Sequence, residues 1–183
     1  TKPIRGVADL KDWKFRSPPG METKIFANLG AKPIVMDFTE IFTALESGII
    51  DGADASGLAN NVGLGLYDIA KHTNYPGFHS MPSDHLACNK GVYDKMPKSH
   101  QRILNTAMEA LALRTALTFE KKNAEAAAML RAKGVKLYNW SDDDRAKFRA
   151  AALKAWPEFA TTPEAKALVA SHTKYLKELG LVK

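Results

Sequence analysis

From Ser99 to Lys133 the chain contains neither proline nor glycine. Within that run Ile103, Leu104, Ala107, Leu111, Leu113 and Leu117 fall on roughly one broad face at helical spacing. The run predicts one long helix, straight or kinked, closed by Gly134. At ~1.5 Å per residue such a helix is about 50 Å long, longer than a typical globular helix and long enough to cross the molecule. Everything else in the chain has to be arranged around that rod.

The residues before it alternate between strand and helix signals. Trp13-Lys14-Phe15-Arg16 is a short apolar/polar strand stopped by Pro18-Pro19-Gly20, and Met21 to Leu29 is a helix closed by Gly30. Pro33 to Phe38 is short and β-branched, a buried strand. Thr39 is expected to cap a helix from Glu40 to about Ser47, ended by Gly48, and Ile49 to Asp54 returns to strand character. Leu58 to Lys71 is helix-like, weakened by Gly63 and Gly65, and a loop rich in Pro, Gly and His runs from Thr73 to Asp84. Asp84 to Asn89 is expected to be a strand crossing between lobes. Repeated strand-helix units of this size imply a parallel or mixed sheet covered by helices.

After the long helix, Val135 to Trp140 is a short strand. Ser141, with Asp144 three residues on, opens a helix through Trp156, and Thr162-Pro163-Glu164 opens a last helix ending at Gly180. The expected organisation is a ligand-binding lobe of βα units over residues 1–75, crossover strands and a loop over 76–98, and the long helix, short strand and C-terminal helices over 99–183. No internal repeat or low-complexity linker interrupts it.

Composition excludes several function classes. The longest apolar runs are a few residues, far short of the ~20 needed to span a bilayer, and no charged n-region with an apolar h-region opens the chain. The single cysteine, Cys88, excludes an intrachain disulfide and any multi-Cys zinc site; within Leu86-Ala87-Cys88 it is expected to be a buried packing residue. The net charge of +6 is spread along helices beside glutamates. The short runs Lys121-Lys122 and Lys95 to Lys98 lack interleaved aromatics, so no nucleic-acid partner is expected. A modest positive potential favours an anionic ligand.

Motifs for catalysis are sparse. The histidines are His72, His79, His85, His100 and His172, and none forms HxxxH, HExxH or HxH. His79, Ser83 and Asp84 share one loop and raise a hydrolase or lyase reading, but a triad is defined by geometry and no GxSxG elbow accompanies them. Gly57 to Gly65 lacks both GxGxxG and a Walker lysine. Asp51-Gly52-Ala53-Asp54 begins like a calcium loop and stops, leaving open a single strand-end carboxylate in a site built from distant segments. Another class altogether, an interaction module docking a partner along the long helix, is compatible with the same pattern.

Arg16 is the most informative residue. It ends a predicted strand, sits beside a stiff Ser-Pro-Pro-Gly bend, and has Trp13 and Phe15 as apolar neighbours. Ligands of open α/β sheets bind beyond the carboxyl ends of strands, and a guanidinium offers a planar fork that matches a carboxylate. Two more strand ends, at Phe38 and Asp54, are candidates to meet it.

Three segments together resemble the solute-binding proteins of TRAP (tripartite ATP-independent periplasmic) transporters, the DctP-like family. They are Asp9-Leu-Lys-Asp-Trp-Lys-Phe-Arg16-Ser-Pro-Pro-Gly20, then Phe38-Thr-Glu40-Ile-Phe-Thr-Ala-Leu-Glu-Ser-Gly48-Ile-Ile-Asp51-Gly52, then Tyr75-Pro-Gly-Phe-His79 with Asn89-Lys90 and Asp94-Lys-Met-Pro97. The resemblance implies an α/β, periplasmic-binding-protein-like fold with a mixed sheet flanked by helices and a long lobe-spanning helix, here one lobe plus part of the other, as the C-terminal part of a longer family member. It implies a periplasmic protein that is not an enzyme, which closes on a small 2-oxo or 2-hydroxy acid and delivers it to the TRAP membrane permease subunits. On that likeness Arg16 is the carboxylate clamp, Phe38 an apolar wall, and the turn from Asp54 to Ser56 meets the ligand. One branch of the family also holds a metal beside the ligand, which implies a Ca or Na ion on Asp54, the Ala55 carbonyl and Ser80. This sequence departs from that branch at Ala55, where an aromatic is common, and at Ser80 and Met81, where a glutamate is common, so Ser80 or Asp84 would have to substitute. A homodimer is a further possible assembly.

Overall fold

The computed structural model describes residues 1–78 and 86–182. Three short strands form a parallel sheet with β1 (Lys14–Ser17) in the middle, flanked by β2 (Lys32–Val35) and β3 (Gly52–Ala53). Parallel neighbours require crossovers. α1 (Met21–Asn28) joins β1 to β2, and a 3-10 turn (Phe38–Glu40) followed by α2 (Ile41–Glu46) joins β2 to β3. β3 comes so close to the preceding aromatic ladder that a Cβ on Gly52 would lie 2.5 Å from Trp13 Cζ2; only glycine leaves room for the indole, which stacks on Phe15 at 4.3 Å.

α3 (Leu58–Gly63) and α4 (Leu66–Ile69) replace the single helix expected over Leu58 to Lys71. The break falls at Gly65, whose φ of +71° is left-handed and cannot continue an α-helix. A second parallel sheet pairs β4 (His72–Asn74) with β5 (Lys136–Tyr138). Between them in sequence come α5 (Lys90–Lys95) and the rod-like α6 (Lys98–Ala132). α7 (Asp142–Phe159) and α8 (Pro163–Glu178) complete the chain, capped as the sequence predicts by Ser141 and Thr162, whose hydroxyls accept from the amides of Asp144 and Ala165.

The main core lies between the first sheet, α1 and α7. Phe15, Phe26, Trp140 and Phe148 are buried together with Leu10 and Ala155, and Phe26 meets Phe15 and Phe148 at centroid distances of 4.6 and 5.2 Å. The C-terminal third therefore packs on the first βα units. The N-terminal segment is tied in by the Ile4 carbonyl, which accepts from Asn74 Nδ2 at 2.7 Å and Trp140 Nε1 at 3.0 Å. A second cluster joins Leu58 and Tyr67 to Ala126, Ala127 and Leu130 at the end of α6. A third, of Ile41, Leu45, Ile50 and Leu66, lies under α2.

Three local expectations are corrected. Asp37, not Thr39, caps the turn before α2, because an aspartate two residues earlier reaches the free amides and forms a reciprocal box with Glu40. Leu86 to Asn89 is not a strand, since no strand runs alongside it among the described residues; Asp84 and His85 lie outside them. Cys88, in that same segment, is exposed rather than buried, as are Leu86 and Lys90 around it. The face shared by Ile103, Leu111, Leu113 and Leu117 is also exposed, and only the last turns of α6 enter a core.

Candidate functional site

The site is built where three parallel strands end together. Register puts Arg16 opposite Ile34 and Ala53, so the residues that follow β2 and β3 emerge on either side of it. Phe15 and Arg16 are adjacent on the strand and point to opposite faces: Phe15 enters the main core, and Arg16 faces the strand ends. The bend after β1 is fixed by side chains, since Ser17 Oγ and Thr23 Oγ1 both donate to the Pro18 carbonyl, at 3.1 and 2.8 Å.

Arg16 is only 7% exposed. Its Nε donates to the Met36 carbonyl at 3.2 Å and its Nη1 to the Asp54 carbonyl at 2.7 Å. One flanking strand end is thus bonded through each nitrogen, and the guanidinium carbon lies 5.5 Å from the centre of the Phe38 ring. Among the described residues these acceptors are neutral carbonyls, and Nη2 donates to none of them. A buried guanidinium held in this way keeps its full charge in a poorly solvated place, where an anion gains more than it would in water.

Phe38 is exposed, at 36%, and is set in place by the box that precedes it. Asp37 Oδ1 accepts from the Thr39 amide at 2.9 Å and the Thr39 hydroxyl at 2.6 Å, and Glu40 Oε2 accepts from the Asp37 amide at 3.3 Å. These Thr39 bonds hold the Asp37 carboxyl below its ordinary range, and the nearby Arg16 charge adds in the same direction. Neither Asp37 nor Glu40 was singled out as site residues by sequence. The signal was present as an acidic residue, two others and a glutamate just before the apolar Ile41-Phe42.

The structure brings Arg16, Phe38 and Asp54 together. Ala55 follows, packed against the cluster beneath α2. Ser56 is exposed one step further on, its hydroxyl accepting from Asn60 Nδ2 at 2.9 Å and its carbonyl from Asn61 Nδ2 at 2.8 Å. Ser80 and Met81, like His79, Ser83 and Asp84 of the hydrolase reading, lie outside the described residues. Among the described residues no three His, Cys, Asp or Glu side chains converge as metal ligands. Asp54 and the Ala55 carbonyl are two of the three groups expected to hold a cation, and the third, Ser80, lies outside the described residues. A shallow depression lined by Met36, Thr39, Glu40, Thr43, Ala44 and Ile49 opens beyond the end of β2 and shares only Met36 with the Arg16 surroundings. No helix among the described residues is long and apolar enough to cross a membrane.

The family model for bacterial extracellular solute-binding protein, family 7 (DctP), matches residues 1–162. A monocarboxylate 2-oxoacid-binding periplasmic protein of Nostoc sp. is 33% identical over 143 residues, which are 78% of this chain and 39% of that protein. A TRAP periplasmic solute-binding protein from Rhodobacter sphaeroides, solved in an apo open state, superposes with a TM-score of 0.80 at 36% identity, covering 98% of this chain and 58% of that one. A TRAP periplasmic solute-binding protein from Rhodoferax ferrireducens with bound malonate gives a TM-score of 0.74 at 26% identity, covering 97% and 58%. The chain thus spans between about two fifths and three fifths of the length of these relatives. With the family match running through both sheets, the long helix and the strand ends around Arg16, this chain belongs to the DctP family of bacterial extracellular solute-binding proteins, the solute-binding proteins of TRAP transporters.

Proposed function

We propose that this chain supplies the anion-gripping lobe of a periplasmic receptor that captures a small organic carboxylate, of the 2-oxo or 2-hydroxy acid class, and passes it to a TRAP membrane permease. The observation that carries this is the Arg16 guanidinium, buried at the end of the central strand and tethered to both neighbouring strand ends. Two bonds to main-chain carbonyls fix its plane before any ligand arrives, so little side-chain freedom is lost on binding. The Nη2 edge is left to donate to a ligand carboxylate, Phe38 gives an apolar wall on one side, and the Asp54–Ser56 turn borders the other. Further support comes from the relatives: the Nostoc protein is named for 2-oxoacids, and the Rhodoferax protein was solved with malonate. In proteins of this architecture a ligand is buried by closure of a second wall over the first, which excludes water and strengthens each charged bond.

A thermal-shift screen of the full-length protein tests the ligand class. Pyruvate, other 2-oxo acids, lactate and malonate are compared with their uncharged amides, with and without calcium. A binder raises the melting temperature by mass action, so at least one acid is expected to raise it while its amide does not. Equal shifts from acid and amide, or no shift from any carboxylate, would contradict the proposal.

A further inference from the structure

We infer that Asn123, on the long helix, is a positioning residue for the Arg16 guanidinium; its bearing on ligand affinity rests on the function proposed above. α3 starts directly after the Asp54–Gly57 turn, and its cap position, Gly57, has no side chain to accept the first helical amides. The acceptor comes from a distant element. Asn123 Oδ1 accepts from the Ala59 amide at 2.9 Å across 64 residues of sequence, doing from α6 what a capping side chain ordinarily does from the helix's own start.

Asn123 stands where α6 passes from its exposed middle to its buried end. It is half-buried, whereas Lys121 and Lys122 are exposed and Ala126 and Ala127 are buried. Next to Ala59, Leu58 packs in the same cluster as Ala126 and Leu130, so the polar bond and the apolar contact pin α3 to α6 at one point. From α3 the tether continues through Asn60 and Asn61 to the Ser56 hydroxyl and carbonyl. Two residues earlier is the Asp54 carbonyl that accepts from Arg16 Nη1. The position of that carbonyl, and with it the plane of the guanidinium, is therefore referred to the long helix through Asn123. Small displacements of a supporting group move a binding side chain out of its productive geometry.

Three variants of the full-length protein test this: Asn123→Ala, Asn123→Asp, and Asn123→Ala combined with Gly57→Ser. The readouts are the melting temperature, hydrogen exchange of the Arg16 Nε–H by NMR and the Kd for pyruvate by calorimetry, with Arg16→Ala as the site control. Asn123→Ala is expected to speed Arg16 Nε–H exchange several-fold and to weaken pyruvate binding by about threefold to tenfold. Asn123→Asp keeps an acceptor oxygen and should stay near wild type in both. The double variant gives α3 a cap of its own without the tie to α6, so it should recover melting temperature but not Arg16 protection. The inference is overturned if Asn123→Ala leaves Arg16 exchange unchanged, if Asn123→Asp behaves like the alanine variant, or if the added serine restores Arg16 protection. If Arg16 exchange responds as expected while pyruvate binding ignores both Asn123→Ala and Arg16→Ala, the positioning stands and the ligand-site proposal fails.

Discussion

Arg16 is held by backbone rather than by other charges. Met36 and Asp54 contribute carbonyls, not carboxylates, to its bonds, so the guanidinium is oriented without being neutralised. Breaking up a buried charged group costs more than exposing one, and the residues that shape its surroundings inherit that sensitivity. Asp37 is one of them, because its box sets Phe38 beside the guanidinium. Its folded pKa lies below the ordinary value, chiefly through the Thr39 bonds. The sign follows: the contribution is present above the unfolded pKa and is lost as pH falls through the folded one. Asp37→Asn removes the titration while keeping a capping oxygen. Urea unfolding of both proteins from pH 7 down to pH 3 should show a wild-type advantage that shrinks in the acid range below about pH 4. A difference that stays constant over that range would mean that folding does not lower the Asp37 pKa.

At the scale of elements, α6 is the unusual one. It runs 35 residues, yet Leu130 near its end is 2% exposed while Leu113 in its middle is 64% exposed. In this chain Leu130→Ala should cost about 2–5 kcal/mol, as truncations in a packed core do, whereas Leu113→Ala should stay within about 0.5 kcal/mol; chemical denaturation of the two variants decides. The helix itself was legible because proline and glycine are absent over its whole length, and its start differs from expectation by one residue. Its exposure was not legible: periodicity tells which side chains share a face, not whether anything covers it. The same distinction holds for the caps. Ser141 and Thr162 were found because Ser141 has an acidic residue three positions on and Thr162 directly precedes a proline at the helix start, while Thr39 drew attention from Asp37, two residues earlier and better placed.

For the whole molecule, local signals carried the first half well and long-range contacts poorly. The alternation of short strands and helices gave the parallel α/β character, and the prolines after Ser17 marked the end of the strand that carries Arg16. Nothing in the sequence announced that Trp140 and Phe148 would close over Phe26, or that Asn123 would cap a helix 64 residues away, because such contacts depend on how elements meet in space. The acceptors for Arg16 were hidden for another reason. They are main-chain carbonyls, which every residue has, so side-chain identity does not reveal them. What sequence and structure share is one charged group at the meeting point of three strand ends. Titration calorimetry of the full-length protein and its Arg16→Lys variant, with pyruvate and malonate, tests that claim most directly. An ammonium keeps the charge and loses the planar fork, so binding of the preferred acid should weaken about tenfold or more, an amount corresponding to ~1.4 kcal/mol per factor of ten. An unchanged Kd in the lysine variant would contradict the account.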